Sequence, residues 1–219
     1  MNVITVASCK GGTGKTTLTA QLAGFACAHG RRCLVIDADP KGSFALHNSR
    51  RVEGALPLAT AARGIERQLA VATILGYDWV LIDTPAQRSA VTRDAVHAAT
   101  MLIIPARPGL FDLAAVRETA DLVHECNKPF AVIINIAPVK RDDTEAPAVA
   151  EARVFLDKHG LPVWSGQISE RTGFAHAAGE ADARALAAAE IARLWSMIER
   201  SVETLNAAQA AAAGRTQAA

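Results

Sequence analysis

Residues 8 to 17 read Ser8-Cys9-Lys10-Gly11-Gly12-Thr13-Gly14-Lys15-Thr16-Thr17, and the reading of this stretch decides the fold. A short β-branched run, Val3-Ile4-Thr5-Val6, precedes it and a helical pattern follows, so it sits where a strand turns into a helix. Gly11, Gly12 and Gly14 lack a Cβ, which lets the backbone adopt positive φ and bring successive N–H groups close to an anion. The helix expected from about Lys15 adds its unsatisfied N-terminal N–H groups and the positive end of its macrodipole. Lys15 supplies a charge for β- and γ-phosphates, Thr16 a hydroxyl ligand for Mg²⁺, and Thr17 a further donor near an α-phosphate.

The pattern G-x-x-x-x-G-K-[ST] is met incompletely, because Cys9 stands where the first glycine belongs. What remains, K-G-G-x-G-K-T-T, resembles the ParA/MinD group of P-loop ATPases, whose variant loop carries an extra lysine matched here by Lys10. With Cys9 before that lysine, the loop is more similar to the ParA side than to the MinD side.

Working outward, apolar runs alternate with helical patterns. Cys33-Leu34-Val35-Ile36 reads as a buried strand ending in Asp37-Ala38-Asp39-Pro40, and Trp79-Val80-Leu81-Ile82 as another ending in Asp83-Thr84-Pro85. Further strands are expected near residues 56–59, 101–105, 130–135 and 161–164. Helices are expected over 64–75, 112–125, 144–159 and 183–205, with residues 41–60 mostly loop and a second loop over 86–89. The alternation predicts an α/β fold, a mostly parallel twisted sheet with helices on both faces. One domain over residues 1–206 is expected, with an Ala-rich, frayed tail over 207–219.

Composition narrows the function. The net charge is +1, so no global basic field announces nucleic acid, and any DNA contact needs a local patch. Four cysteines without C-x-x-C spacing fit reduced thiols, and the N-terminus shows no signal-peptide pattern, so a cytoplasmic protein is expected. No run approaches about 18 apolar residues, so no membrane partner is expected. Six scattered histidines and the absence of G-x-S-x-G argue against zinc and serine-hydrolase chemistry. Cys9, beside a helix N-terminus and two lysines, is a place where a thiol pKa can be lowered.

Carboxylates at strand ends beside a phosphate loop lie in the crevice where open parallel sheets bind ligands. Asp83 matches the Walker B position that holds Mg²⁺ through water. The resemblance implies that Asp39 positions the hydrolytic water and that Asp37 supports the Mg²⁺ shell, with Lys41 in place of the family's usual glutamine. It also implies that Lys10 crosses a dimer interface to the other subunit's nucleotide, and that Asn135 reads adenine. ATP is expected rather than GTP, since no N-K-x-D follows the late strands. Pro105, Pro108, Asp112 and the Ile168-Ser169-Glu170-Arg171 segment with Phe174 add to the similarity.

The activity implied is that of a small ParA-type ATPase. It would form an ATP-dependent sandwich homodimer, bind DNA non-specifically on the nucleoid, and position a plasmid, chromosomal locus or protein cargo. A ParB-like or cargo-adaptor protein would stimulate its hydrolysis. Arg171, Arg184, Arg193 and Arg200 are the DNA-contact candidates. The alternative is a MinD-like membrane-cycling ATPase, which needs bulky apolar residues that 207–219 lacks.

Overall fold

In the computed structural model, which describes residues 1–49, 54–170 and 180–217, seven strands form one sheet in the order β3-β2-β4-β1-β5-β6-β7. They are β1 (Asn2–Val6), β2 (Cys33–Asp37), β3 (Leu58–Thr60), β4 (Trp79–Asp83), β5 (Met101–Ala106), β6 (Phe130–Ala137) and β7 (Val163–Ser169). Every pairing among them is parallel. The central strands are buried end to end, which is why they read as unbroken apolar runs rather than as alternating ones.

The helices are α1 (Lys15–Ala28), α2 (Ser43–Ser49), α3 (Ile65–Ile74), α4 (Ala90–Ala98), α5 (Leu110–Glu125), α6 (Pro147–Lys158) and α7 (Glu180–Gln217). One face of the sheet packs against α1, α2 and α7 through Leu18, Leu22, Phe44, Leu194, Trp195 and Ile198. The other face packs against α3, α4, α5 and α6 through Ile65, Ala72, Ala95, Val116, Val123, Val149 and Leu156. In α7, Ile191, Leu194, Trp195, Ile198 and Val202 recur at helical spacing and are all buried, with Trp195 tilted against Trp79 at 4.7 Å between ring centroids.

Two expectations are corrected. The segment 41–60 is not all loop, because residues 43 to 49 form α2, seated by the fully buried Phe44 and by Asn48, which exchanges two hydrogen bonds with the backbone of Leu56. The last helix does not fray after Leu205 but runs to Gln217, since alanine sustains a helix by intrinsic propensity where no apolar stripe directs it. Residues 218 and 219 lie outside the described residues. Among the described residues no helix is long and apolar enough to cross a membrane.

An irregular stretch of β7 is held by a side chain. Arg153 of α6 donates to the carbonyls of Trp164 and Gly166, both at 2.8 Å, while its guanidinium engages both oxygens of Glu145 at 2.8 and 2.9 Å. The Arg153 hydrogen bonds hold the Glu145 carboxyl below its usual range. The Trp164 and Gly166 carbonyls fall between the pairs Val132↔Val163 and Ile134↔Gln167, where the β6–β7 register shifts, so Arg153 satisfies backbone that the ladder leaves out.

The topology fixes where a ligand goes. Strand β1 lies between β4 and β5, and the chain order of the sheet reverses there. Val6 is in register with Asp83, and Asp83 with Asp37, so the loop after β1 and both acidic strand ends open on one edge.

Candidate nucleotide site

After Val6 the chain wraps through residues 7 to 14 and enters α1 at Gly14, whose φ of 85° and ψ of 21° are left-handed. Gly12 is also at positive φ, 76°. No side chain caps the start of α1 and its first turn carries no acidic residue, so its N–H groups face the loop concavity without a competing carboxylate. Gly11, Gly12, Gly14, Lys15, Thr16 and Asp39 line a cleft of about 240 Å³.

Lys15 is 7% exposed, and its ammonium donates to the carbonyl of Lys10 at 3.1 Å. Burial lowers its pKa, while the carboxylates of Asp83 and Asp39 act in the other direction. A buried ammonium resting on a backbone carbonyl is poised to exchange that partner for a phosphate, which would repay more of its lost hydration.

The hydroxyl of Thr16 donates to Asp83 Oδ2 at 2.7 Å. Asp83 is fully buried and its Oδ1 has no hydrogen-bond partner. Burial pushes its pKa up to about 7, against the Thr16 hydrogen bond. A desolvated carboxylate with one unused oxygen beside a threonine hydroxyl suits a hydrated divalent cation. No group of three or more His, Cys, Asp or Glu side chains that could hold a metal occurs among the described residues.

Asp37 and Asp39 organise the segment after β2. Asp37 is buried, its Oδ1 accepts from the Asp39 N–H at 3.0 Å and its Oδ2 from the Ala45 N–H at 3.2 Å. Burial raises its pKa and those backbone donors oppose the rise. Both of its oxygens are thus engaged in shaping the backbone that carries Asp39. Asp39 is half-buried, accepts from the Lys41 N–H at 2.9 Å in an Asx turn, and reaches the phosphate cleft.

Asn135 lies at the carboxyl end of β6 and donates from Nδ2 to the carbonyl of Thr13 at 2.7 Å. With Gly14, Thr17, Ile136, Ile168 and Glu170 it lines a second cavity of about 400 Å³, which shares Gly14 and Thr17 with the phosphate cleft. Its amide therefore braces the loop as well as walling a space of nucleoside size. Lys10 Nζ pairs with Asp112 Oδ2 at 2.8 Å, and the Cys9 N–H donates to Thr119 Oγ1 at 3.0 Å, two contacts from α5 that the sequence does not announce.

Burial raises the Cys9 thiol pKa, outweighing the Thr119 hydrogen bond, so the lowered thiol pKa considered from its neighbours is not found. Arg193 and Arg200 are exposed on α7 and line a groove of about 1010 Å³ together with Lys140. Arg171 lies outside the described residues; Arg184 falls within α7, but its side chain lies outside what is described.

The comparisons with known proteins agree with this geometry. Residues 4–184 match the CobQ/CobB/MinD/ParA nucleotide binding domain family. Maintenance of carboxysome distribution protein A of Gloeobacter kilaueensis is 34% identical over 168 residues, 76% of either chain. Among solved structures, apo McdA of Cyanothece superposes with a TM-score of 0.67 at 17% identity, covering 95% of this chain and 99% of that one. Cobyrinic acid a,c-diamide synthase of Mycobacterium smegmatis, solved with ADP and magnesium, gives 0.71 at 18% identity, covering 91% and 94%. The chain belongs to the CobQ/CobB/MinD/ParA family of nucleotide-binding domains.

Proposed function

We propose that this chain is a magnesium-dependent ATPase of the ParA type that distributes a cargo inside the cell. ATP would join two copies into a sandwich homodimer, the dimer would bind DNA non-specifically on the nucleoid, and an adaptor on the cargo, ParB-like in role, would stimulate hydrolysis and release. The observation that carries the reading is the Thr16–Asp83 pair, with its unused carboxylate oxygen, beside the buried ammonium of Lys15 in a glycine-lined cleft. The relative named for carboxysome distribution supports a positioning role with a protein-bounded cargo.

The residues divide the chemistry as follows. Gly11 to Gly14 and the first turn of α1 cradle the phosphates, Thr17 donates near the α-phosphate, and Lys15 leaves the Lys10 carbonyl to pair with the β- and γ-oxygens. Thr16 and Asp83 would hold magnesium, Thr16 directly and Asp83 through water. Magnesium when bound neutralises charge on the phosphate oxygens. Asp39 orients the attacking water by accepting its hydrogen bond, and Asp37 keeps Asp39 in place through the backbone. Asn135 and the cavity behind it hold the adenine. Lys10 of a second copy brings a further cation to the transferring phosphate, where charge develops.

DNA contact is assigned to the arginines of α7. Arg193 and Arg200 stand seven residues apart, two turns or about 10 Å along the helix, on one exposed face. Phosphate contacts of this kind release counterions and weaken steeply with salt.

The test is ATP-dependent binding to a non-specific duplex across a salt series, comparing wild type with Lys10→Ala and Lys15→Ala. Salt-sensitive binding that needs ATP and is lost in both variants supports the reading. ATP hydrolysis without DNA binding leaves the ATPase and removes the partition role.

A further inference from the structure

The ion pair of Lys10 with Asp112 has no part in the chemistry just described, although it holds the residue that distinguishes this loop. Lys10 is tethered within its own chain by its ammonium, by its carbonyl and through its neighbour Cys9. Its ammonium sits 2.8 Å from Asp112 Oδ2, its carbonyl accepts from Lys15, and the Cys9 N–H before it is bound by Thr119. Two of these anchors, Asp112 and Thr119, belong to α5. Thr119 is itself fixed by donating to the Ala115 carbonyl at 2.8 Å.

The two sides of the pair differ in environment. The Lys10 side chain is 36% exposed and that of Asp112 only 12%. Asp112 lies in the first turn of α5, where the helix dipole favours a carboxylate, and its Oδ1 is buried without a partner. Asp112, nearly buried, has Lys10 as its counter-ion, whereas Lys10 can find water or another anion. A lysine held in this way cannot also rest on a phosphate bound to another chain.

We propose that Asp112 is a positioning residue that restrains Lys10 in the free chain, so that Lys10 reaches a second copy's nucleotide only when the pair opens. This rests on the reading of Lys10 as a group that acts across a dimer. The pair then sets a threshold for dimerisation. A partly exposed ion pair favours the closed form by about two- to fivefold. Two chains must open to form one dimer, so the effect is squared, and the restraint weakens the dimer by about four- to 25-fold.

The experiment uses the full chain with magnesium and a non-hydrolysable ATP analogue, and measures the dimer Kd by analytical ultracentrifugation. It compares wild type, Asp112→Asn, Asp112→Glu, Lys10→Ala and the Lys10→Ala/Asp112→Asn double variant. In parallel, acylation of Lys10 by an N-hydroxysuccinimide ester is followed by mass spectrometry in the nucleotide-free chain. The expected results are faster Lys10 acylation in Asp112→Asn, a dimer Kd about four- to 25-fold lower, near-wild-type behaviour in Asp112→Glu, and no effect of Asp112→Asn once Lys10 is alanine.

A weaker dimer in Asp112→Asn, or the same change with and without Lys10, overturns the proposal and makes the pair an anchor for α5. If wild type itself does not dimerise with the analogue, the dimer reading fails in the wild-type measurement and takes this one with it. A failure of the restraint alone appears only in the variants.

Discussion

The carboxamide of Asn135, at the end of β6, donates at 2.7 Å to the carbonyl of Thr13, 122 residues earlier in the chain. A Cβ on Gly14 would lie 2.4 Å from that same Nδ2. The phosphate loop is therefore closed from behind by a strand that is not its neighbour in the sheet, and the closure leaves no room for a side chain at position 14.

Gly14→Ala should lose nucleotide binding by at least tenfold. It combines a clash at the Asn135 amide with a φ of 85°, where a non-glycine residue costs roughly 1–3 kcal/mol. Adding Asn135→Ala should relieve the clash and recover part of the stability, but not the binding, since the backbone strain and the lost Thr13 brace persist. Calorimetric titration with nucleotide and denaturant unfolding of the two variants read these separately.

Asp83 gives a pH dependence with a definite sign. Its pKa in the folded chain is about 7, above the ordinary carboxyl value of roughly 4 in the unfolded chain. Between those values the folded state keeps a proton that the unfolded state has lost. Its contribution is thus fully present below about pH 4 and falls as pH rises toward 7, with a slope of up to ~1.4 kcal/mol per unit. The stability difference between wild type and Asp83→Asn in the nucleotide-free chain should shrink over that window and then level.

The same proton must leave before Asp83 can hold a hydrated cation. The magnesium-dependent part of nucleotide affinity should strengthen from pH 6 to 8 in wild type and be flat in Asp83→Asn. A wild-type affinity that weakens over that range removes Asp83 from the metal site.

Arg153→Ala should destabilise the fold by about 1–3 kcal/mol, less than a deeply buried pair would, because Arg153 and Glu145 are 23% and 20% exposed. It also takes a donor from the Trp164 and Gly166 carbonyls in the irregular stretch of β7. Denaturant unfolding reads the loss of stability. Arg153→Lys should not rescue it, since a single ammonium cannot span one carboxylate and two carbonyls.

Arg193→Ala and Arg200→Ala should each lower the slope of log affinity for duplex DNA against log salt by roughly one, with little dependence on sequence. ATP turnover without DNA should be unchanged, as both residues are exposed on α7, away from the phosphate cleft. Filter binding over a salt series decides the matter, and an unchanged slope moves the contact elsewhere.

The strands were legible because the sheet is buried on both faces, and residues 33–36, 79–82 and 101–105 therefore stand out as apolar runs closed by Asp or Pro. The phosphate loop was legible because its chemistry is carried by neighbours in sequence. Helix α2 was not, because what holds it is tertiary: Phe44 buried under α1 and a carboxylate from Asp37 on its backbone. Helix α4 escaped for a related reason, being short, with only Thr92, Ala95 and Val96 buried. The strand near 161–164 was displaced to Val163–Ser169, leaving Pro162, which has no N–H, before it. Asp112 stood out in the sequence as a similarity, but its partner lies 102 residues away, and only folding brings the two together.

The two backbone bonds accepted by Asp37 fasten both ends of the segment 39 to 45 to a single side chain. A loop that short has little closure entropy left to lose. Lys41 and the first turn of α2 lie on that fastened segment, so the surface above the phosphate cleft is held to the end of β2 by one buried carboxylate.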